Sequence, residues 1–154
     1  MLVENYYTLN GVISPIESFS YTFPNNAKIV YEVLRVKNST PIFFEQHLDR
    51  LFNSINLLTF SKPEKVIIRN MLTDLLRKNP VVENNIRISL VYSTPASYDI
   101  LIYFIPSSYP TQFQRDNGVI LKTLKANRDN PNAKVENTTL REKADKIINE
   151  TGCY

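Results

Sequence analysis

Few side chains in this sequence suit chemistry, and their types narrow the choice quickly. Among 154 residues there is one histidine, His47, and one cysteine, Cys153. A lone imidazole leaves no zinc site of the usual kind, and a single thiol leaves no intrachain disulfide or cysteine metal cluster. His47 lies in a helical pattern with no nucleophile beside it, which argues against Ser-His-Asp or Cys-His catalysis. Only three glycines occur, and they form neither G-x-G-x-x-G nor a phosphate loop. A phosphate would have to be held by side chains, or by something outside the sequence. That leaves fixed cations. Arg87 sits in an apolar alternation, Ile86, Ile88, Leu90 and Tyr92, where a charge needs a partner or a ligand. Arg50 sits in a helix whose stripe is Phe44, Leu48, Leu51, Phe52, Ile55 and Leu58. At roughly 100° per residue it points well away from the stripe's centre, with His47 and Ser54 on the edge. Periodicity alone makes Arg50 a solvated arginine.

The elements that must position these residues follow from pattern. Residues 6–9 and 12–13 read as strands around Asn10-Gly11, a strong turn signal. Pro24-Asn25-Asn26 is a second turn. Residues 28–37 alternate Ile29, Tyr31, Val33 and Arg35 against Val30, Glu32, Leu34 and Val36. Both sides are mostly apolar, which predicts a strand covered on both faces. Asn38-Ser39 then turns the chain into a short strand over 40–43. Ser61-Lys62-Pro63-Glu64 predicts a capping box for a second helix carrying Ile67, Ile68, Met71, Leu72, Leu75 and Leu76, stopped by Asn79-Pro80. Residues 86–92 and 97–105 form a predicted hairpin. A loop over 106–110, a strand over 118–124 and a polar connector over 127–131 follow. Thr139-Leu140-Arg141-Glu142 is expected to cap a last helix that Gly152 ends. This order predicts an α+β fold, an antiparallel sheet with two long helices on one face. The last helix needs a surface for its apolar stripe, since it is marginal alone.

The composition is that of a soluble globular protein of one ordinary domain, 43% apolar and 21% charged. No apolar run approaches the roughly 18 residues of a membrane helix, and the first residues lack the pattern of a signal peptide. A cytoplasmic protein is expected. The formal charge is +3, with scattered Lys and Arg and no basic stripe, so neither nucleic acid nor membrane is an expected partner.

Three pieces in order resemble the class IV aminotransferases, the pyridoxal 5'-phosphate (PLP) enzymes of fold type IV. Tyr31-Glu32-Val33-Leu34-Arg35-Val36 is similar to the family's aromatic-Glu-x-x-Arg-Val strand. Phe43-Phe44-Glu45-Gln46-His47-Leu48-Asp49-Arg50-Leu51, then Ser54, resembles its His-x-x-Arg-Leu helix. Lys134, Asn137 and Gly152-Cys153-Tyr154 resemble the Schiff-base lysine segment of D-amino acid aminotransferases. The resemblance implies PLP as cofactor, Lys134 as the catalytic, cofactor-bonding lysine and Arg50 as the ligand of its phosphate. It implies Tyr31, Arg35 and Arg87 on the substrate side, Arg87 facing an α-carboxylate, and His47 orienting its helix. No metal is implied. The expected reaction moves an amino group between an amino acid and a 2-oxo acid, and a homodimer is expected. An aminodeoxychorismate lyase-like activity, or a non-catalytic binding or assembly domain on the same scaffold, are the alternatives. Pro24-Asn25-Asn26-Ala27-Lys28 stands where the family usually has a Gly-Asp-Gly turn, and Tyr92-Ser93-Thr94-Pro95 replaces the Thr-Arg-Gly segment of the D-amino acid branch. The substrate therefore stays open. The resemblance divides the chain into an amino-terminal α+β domain, 1–126, and a connector with the start of a truncated PLP-binding domain, 127–154. A chain ending there is expected to bind PLP weakly at best and not to transaminate.

Overall fold

The computed structural model describes every residue except Met1, Val81, Val82, Ser108, Arg128, Asp129 and Tyr154. The chain forms two compact units, one of Met1–Ser107 with Asn132–Glu136, the other of Ser108–Pro131 with Asn137–Tyr154.

The first unit is a six-stranded sheet with two helices. Its strands are β1 (Val3–Leu9), β2 (Val12–Pro15), β3 (Lys28–Lys37), β4 (Thr40–Pro41), β5 (Glu83–Thr94) and β6 (Ser97–Ile105). They lie in the order β2-β1-β6-β5-β3-β4, each pair antiparallel. Asn10 and Gly11 both take positive φ, 50° and 87°, the two-residue turn whose twist suits a hairpin. Asn38 and Ser39 do the same at 49° and 56° between β3 and β4.

Helices α1 (Phe44–Leu57) and α2 (Lys65–Lys78) cover one face of this sheet. Leu48, Leu51 and Ile55 of α1 and Ile68, Leu72 and Leu75 of α2 join Leu34, Ile86, Ile88 and Phe104 in one buried core. Each such side chain contributes about 1.5–3 kcal/mol on leaving water. The predicted α+β class, with both long helices on one face of an antiparallel sheet, is the architecture found.

The burial of β3 alternates without a break. Val30, Glu32, Leu34 and Val36 are buried, while Ile29, Tyr31, Val33 and Arg35 are only partly covered. The strand is therefore sealed on the helix side and only partly covered on the other, so the expectation of cover on both faces holds fully on one side alone.

Other boundaries also differ from expectation. β4 stops at Pro41, because its ladder to β3 is finished by the Val36–Pro41 pair. Phe43 then turns left-handed, φ 53°, to lead into α1. Helix α2 begins at Lys65, after an extended Glu64 with no side-chain cap. Ser61 is engaged elsewhere, since its N–H donates to Pro95 O at 2.9 Å and its carbonyl accepts from Tyr92 Oη at 2.7 Å. Asn79 does more than stop α2. Its buried side chain accepts from the N–H groups of Asn5 and Tyr6, at 3.1 and 3.0 Å, and donates to Tyr6 O and Leu75 O.

The second unit contains α3 (Gln112–Asn117) and α4 (Thr138–Thr151). Helix α3 was not expected. Its signal is a capping box, Thr111 with Gln114, of the kind a sequence can show. Residues 118–124, expected as a strand, are irregular. A strand exists by pairing, and among the described residues none pairs with this stretch; Ile120 and Leu121 stay 69% exposed. Helix α4 is capped by Asn137, which accepts from Leu140 N–H at 2.9 Å, two residues before the expected Thr139. Gly152 ends it in the left-handed region, φ 65°. The expected 127–131 connector includes Arg128 and Asp129, and the Gly-Cys-Tyr piece includes Tyr154; these three lie outside the described residues.

Candidate active site

Three separate stretches of the first unit build the site. Strand β3 supplies Tyr31 on its open side and Glu32 on its helix side. Helix α1 supplies His47, Arg50 and Ser54, spaced by three and four residues so that they share one face. The segment 132–136 returns to β3. Val135 bridges Val30, Tyr31 N–H donates to Lys134 O at 3.2 Å, and Glu136 N–H donates to Ile29 O at 2.9 Å. Lys134 N–H donates to Ser54 Oγ at 3.0 Å, and Ser54 Oγ donates to Arg50 O at 2.9 Å. A lysine 80 positions from Ser54 is thereby fixed through its backbone, and its amine extends to Glu32.

The centre of the site is Glu32, whose side chain is fully buried. Arg50 grips it with two bonds, Nε to Oε1 at 2.7 Å and Nη2 to Oε2 at 2.5 Å. His47 Nδ1 lies 3.0 Å from Oε2 and donates to it when protonated at that nitrogen. Lys134 Nζ lies 3.5 Å from the same oxygen. Burial opposes ionisation of Glu32 most strongly, yet the bonds from Arg50 and His47 and the charges of Lys134 and Arg50 hold its carboxyl below the usual range. Burial pulls Lys134 below the usual lysine value; Glu32 opposes this, while Arg50 and Arg87 add to it. Arg50 is held above its ordinary value chiefly by its bonds to Glu32. Its side chain is still 53% exposed, and with Phe43, Gln46 and His47 it lines a cleft of about 340 Å³. The guanidinium thus has an inner edge on Glu32 and an outer side toward solvent.

On the open face of the sheet, Arg87 lies over the Tyr31 ring at 4.3 Å, and Lys134 Nζ lies over it at 5.2 Å. Both are cation–π distances. Arg87 also pairs with Glu136 at 3.0 Å and donates from Nε to Ser89 Oγ at 3.0 Å. The charge that the sequence placed on a central strand therefore has its protein partner. Arg35 follows Tyr31 by four residues on the same strand face and forms an ion pair with Glu83. Lys134, Arg50, Tyr31 and Arg87 are brought together; Arg35 stands roughly 13 Å along the strand, at 3.3 Å per residue.

Three contributors went unassigned in the sequence. Glu32 carried a signal, a carboxylate on an otherwise apolar strand face. Ser54 carried a weaker one at the stripe's edge. Glu136 carried none. Ser54→Ala should cost about 0.5–1.5 kcal/mol, because the half-buried Lys134 N–H loses its acceptor; urea denaturation of the variant measures it.

An antiparallel sheet backed by two helices, with a lysine, an arginine and a carboxylate meeting at one strand, defines the class of site. The protein-family model of class IV amino-transferases matches residues 29–154, and the chain belongs to that family. Comparison with curated protein sequences gives no match. Among solved structures, a putative branched-chain amino acid aminotransferase from Thermotoga maritima superposes with a TM-score of 0.75 at 19% identity, over 97% of this chain and 55% of that one. A hypothetical aminotransferase from Mycobacterium tuberculosis, in an alpha-ketoglutarate and PMP bound form, gives 0.71 at 14% identity, over 96% and 59%. A putative 4-amino-4-deoxychorismate lyase gives 0.68 at 20% identity, over 88% and 57%. These likenesses show the fold, that of the smaller domain of fold type IV aminotransferases. The chain spans 41% and 56% of the length of the first two solved structures it matches.

Proposed function

We propose that this site belongs to a PLP-dependent amino-group transferase acting between an amino acid and a 2-oxo acid. The observation that carries the reading is Lys134, anchored through its backbone to β3 and Ser54, with its amine beside Glu32 and Arg50. The donor set fits the cofactor. Arg50 offers a fixed guanidinium whose solvent side suits a phosphate, and burial makes the neutral form of Lys134 more accessible than in an exposed lysine. When bound, PLP supplies an electron sink for charge developing at the substrate α-carbon. Lys134 Nζ takes and returns the proton there, and Arg50 holds the phosphate. Tyr31 and Arg87 face the substrate, with Arg87 the partner of an α-carboxylate once Glu136 yields it, and Arg35, further along the same strand face and paired with Glu83, bounds the far end of the substrate side. His47 and Ser54 keep α1 and the lysine segment in place.

The same reading makes residues 1–126 a smaller domain and 127–154 a connector with the opening of a PLP-binding domain, in a cytoplasmic homodimer. A lyase of the aminodeoxychorismate type is the second reading, favoured by the likeness to a putative lyase; it uses the same lysine and arginine. A binding domain without catalysis is the third. Titrating the chain with PLP separates enzyme from binding domain. A visible absorbance band lost in Lys134→Ala, and borohydride fixation located on Lys134 by mass spectrometry, are expected. A band that survives Lys134→Ala refutes the role given to that residue.

A further inference from the structure

Glu32 is a carboxylate in a core, and among the described residues the charged and titratable groups that face it all belong to this site. Strand β3 offers Tyr31; α1 offers His47 and Arg50; the 132–136 segment offers Lys134 and Glu136; β5 and β6 bring Arg87 and Tyr103 to the far side of Tyr31 and Glu136. Among these, Glu32 touches Arg50, His47 and Lys134. A buried carboxylate with three bases is costly to desolvate, and an apolar residue would pack the strand face as well as its neighbours Val30 and Leu34 do.

We propose, resting on the PLP reading above, that Glu32 is a positioning residue: one buried carboxylate presents the outer side of Arg50 and keeps the proton on the Lys134 amine until a ligand enters. Both of the carboxylate's oxygens serve Arg50, which fixes the plane of the guanidinium. Oε2 alone is shared with His47 and Lys134. Any entering anion that draws on Arg50 changes how much of Oε2 is left to Lys134, so the two ends of the site report to each other through one side chain.

The test reads Lys134 without any cofactor. The rate of acetic anhydride labelling at Lys134, followed by mass spectrometry across pH, gives the midpoint at which the amine becomes neutral. Glu32→Gln should lower that midpoint by about one pH unit, since a partner charge at this range moves a pKa by 1–3 units and this one is shared. At a pH below both midpoints, labelling then runs roughly tenfold faster. Glu32→Asp should restore most of the shift. An unchanged midpoint in a Glu32→Gln chain that still melts cooperatively overturns the proposal. Should Glu32→Gln fail to fold, Arg50→Gln decides, because it frees the carboxylate for Lys134 and must raise the midpoint; an unchanged or lower midpoint overturns the proposal. Absence of PLP fixation at Lys134 in the unaltered chain would count against the PLP reading and leave the labelling result to stand.

Discussion

Asn79→Ala is expected to lower the unfolding free energy by about 3–5 kcal/mol, measured by urea denaturation with an otherwise unchanged chain. The side chain is fully buried and makes four hydrogen bonds, accepting from the backbone of Asn5 and Tyr6 and donating to Tyr6 O and Leu75 O. Truncation removes the acceptor of two β1 N–H groups, those of exposed Asn5 and half-buried Tyr6, and the donor of two carbonyls. Each of the four hydrogen bonds contributes about 0.5–1.5 kcal/mol net, and the small void adds to that. Asn79→Asp should be milder in its acceptors but must lose the two donated bonds. A loss below about 1 kcal/mol for Asn79→Ala would mean that water replaces the amide.

Glu32→Ala is the second large effect, about 2–4 kcal/mol. Removing one partner of a buried ion pair costs 3–5 kcal/mol, lowered here because Arg50 is half exposed and rehydrates. Acid should reproduce part of this loss in the unaltered chain. The folded carboxyl of Glu32 lies below its ordinary value, so its contribution is complete above the unfolded pKa of about 4.3. It is lost as pH falls through the folded value. Lys134 runs in the same direction at higher pH: with its folded pKa depressed, its penalty is present at low pH and relieved as pH rises toward the ordinary lysine value. The stability gap between the unaltered chain and Glu32→Gln should therefore narrow as pH falls below the unfolded carboxyl value of about 4.3 and on through the lower folded one. A gap that stays constant over that window would show that Glu32 contributes packing and no charge.

Much of the fold was legible because its period was local. The alternation of β3 and the 3.6-residue stripes of α1 and α2 each lie within about fifteen residues, and these two helices and the central hairpin came out as expected. What failed depended on partners. Residues 118–124 have strand-forming side chains but no described strand to pair with. Ser61 reads as a cap, yet its backbone is tied to the β5–β6 hairpin. Arg50 is the instructive case. Its helical angle does point away from the core, and it is indeed half exposed, but an arginine is long enough to reach back from the helix edge to Glu32. Angle locates the Cα, and reach locates the charge. The meeting of Glu32 with Lys134, 102 positions apart, leaves no trace in any local pattern. Only the resemblance placed Lys134 with Arg50, and it left Glu32 without a role.

The three backbone ties at residues 134–136 have an evolutionary corollary. Lys134 takes its position from β3 and Ser54, whereas the chain between Ser107 and Asn132 supplies none of those ties. Lengthening such an excursion costs little closure entropy, about 0.6 kcal/mol per doubling. The stretch can therefore drift, grow or be exchanged among descendants while the amine stays where the sheet puts it. The lysine and the segment before it are neighbours in the gene, yet they answer to different constraints.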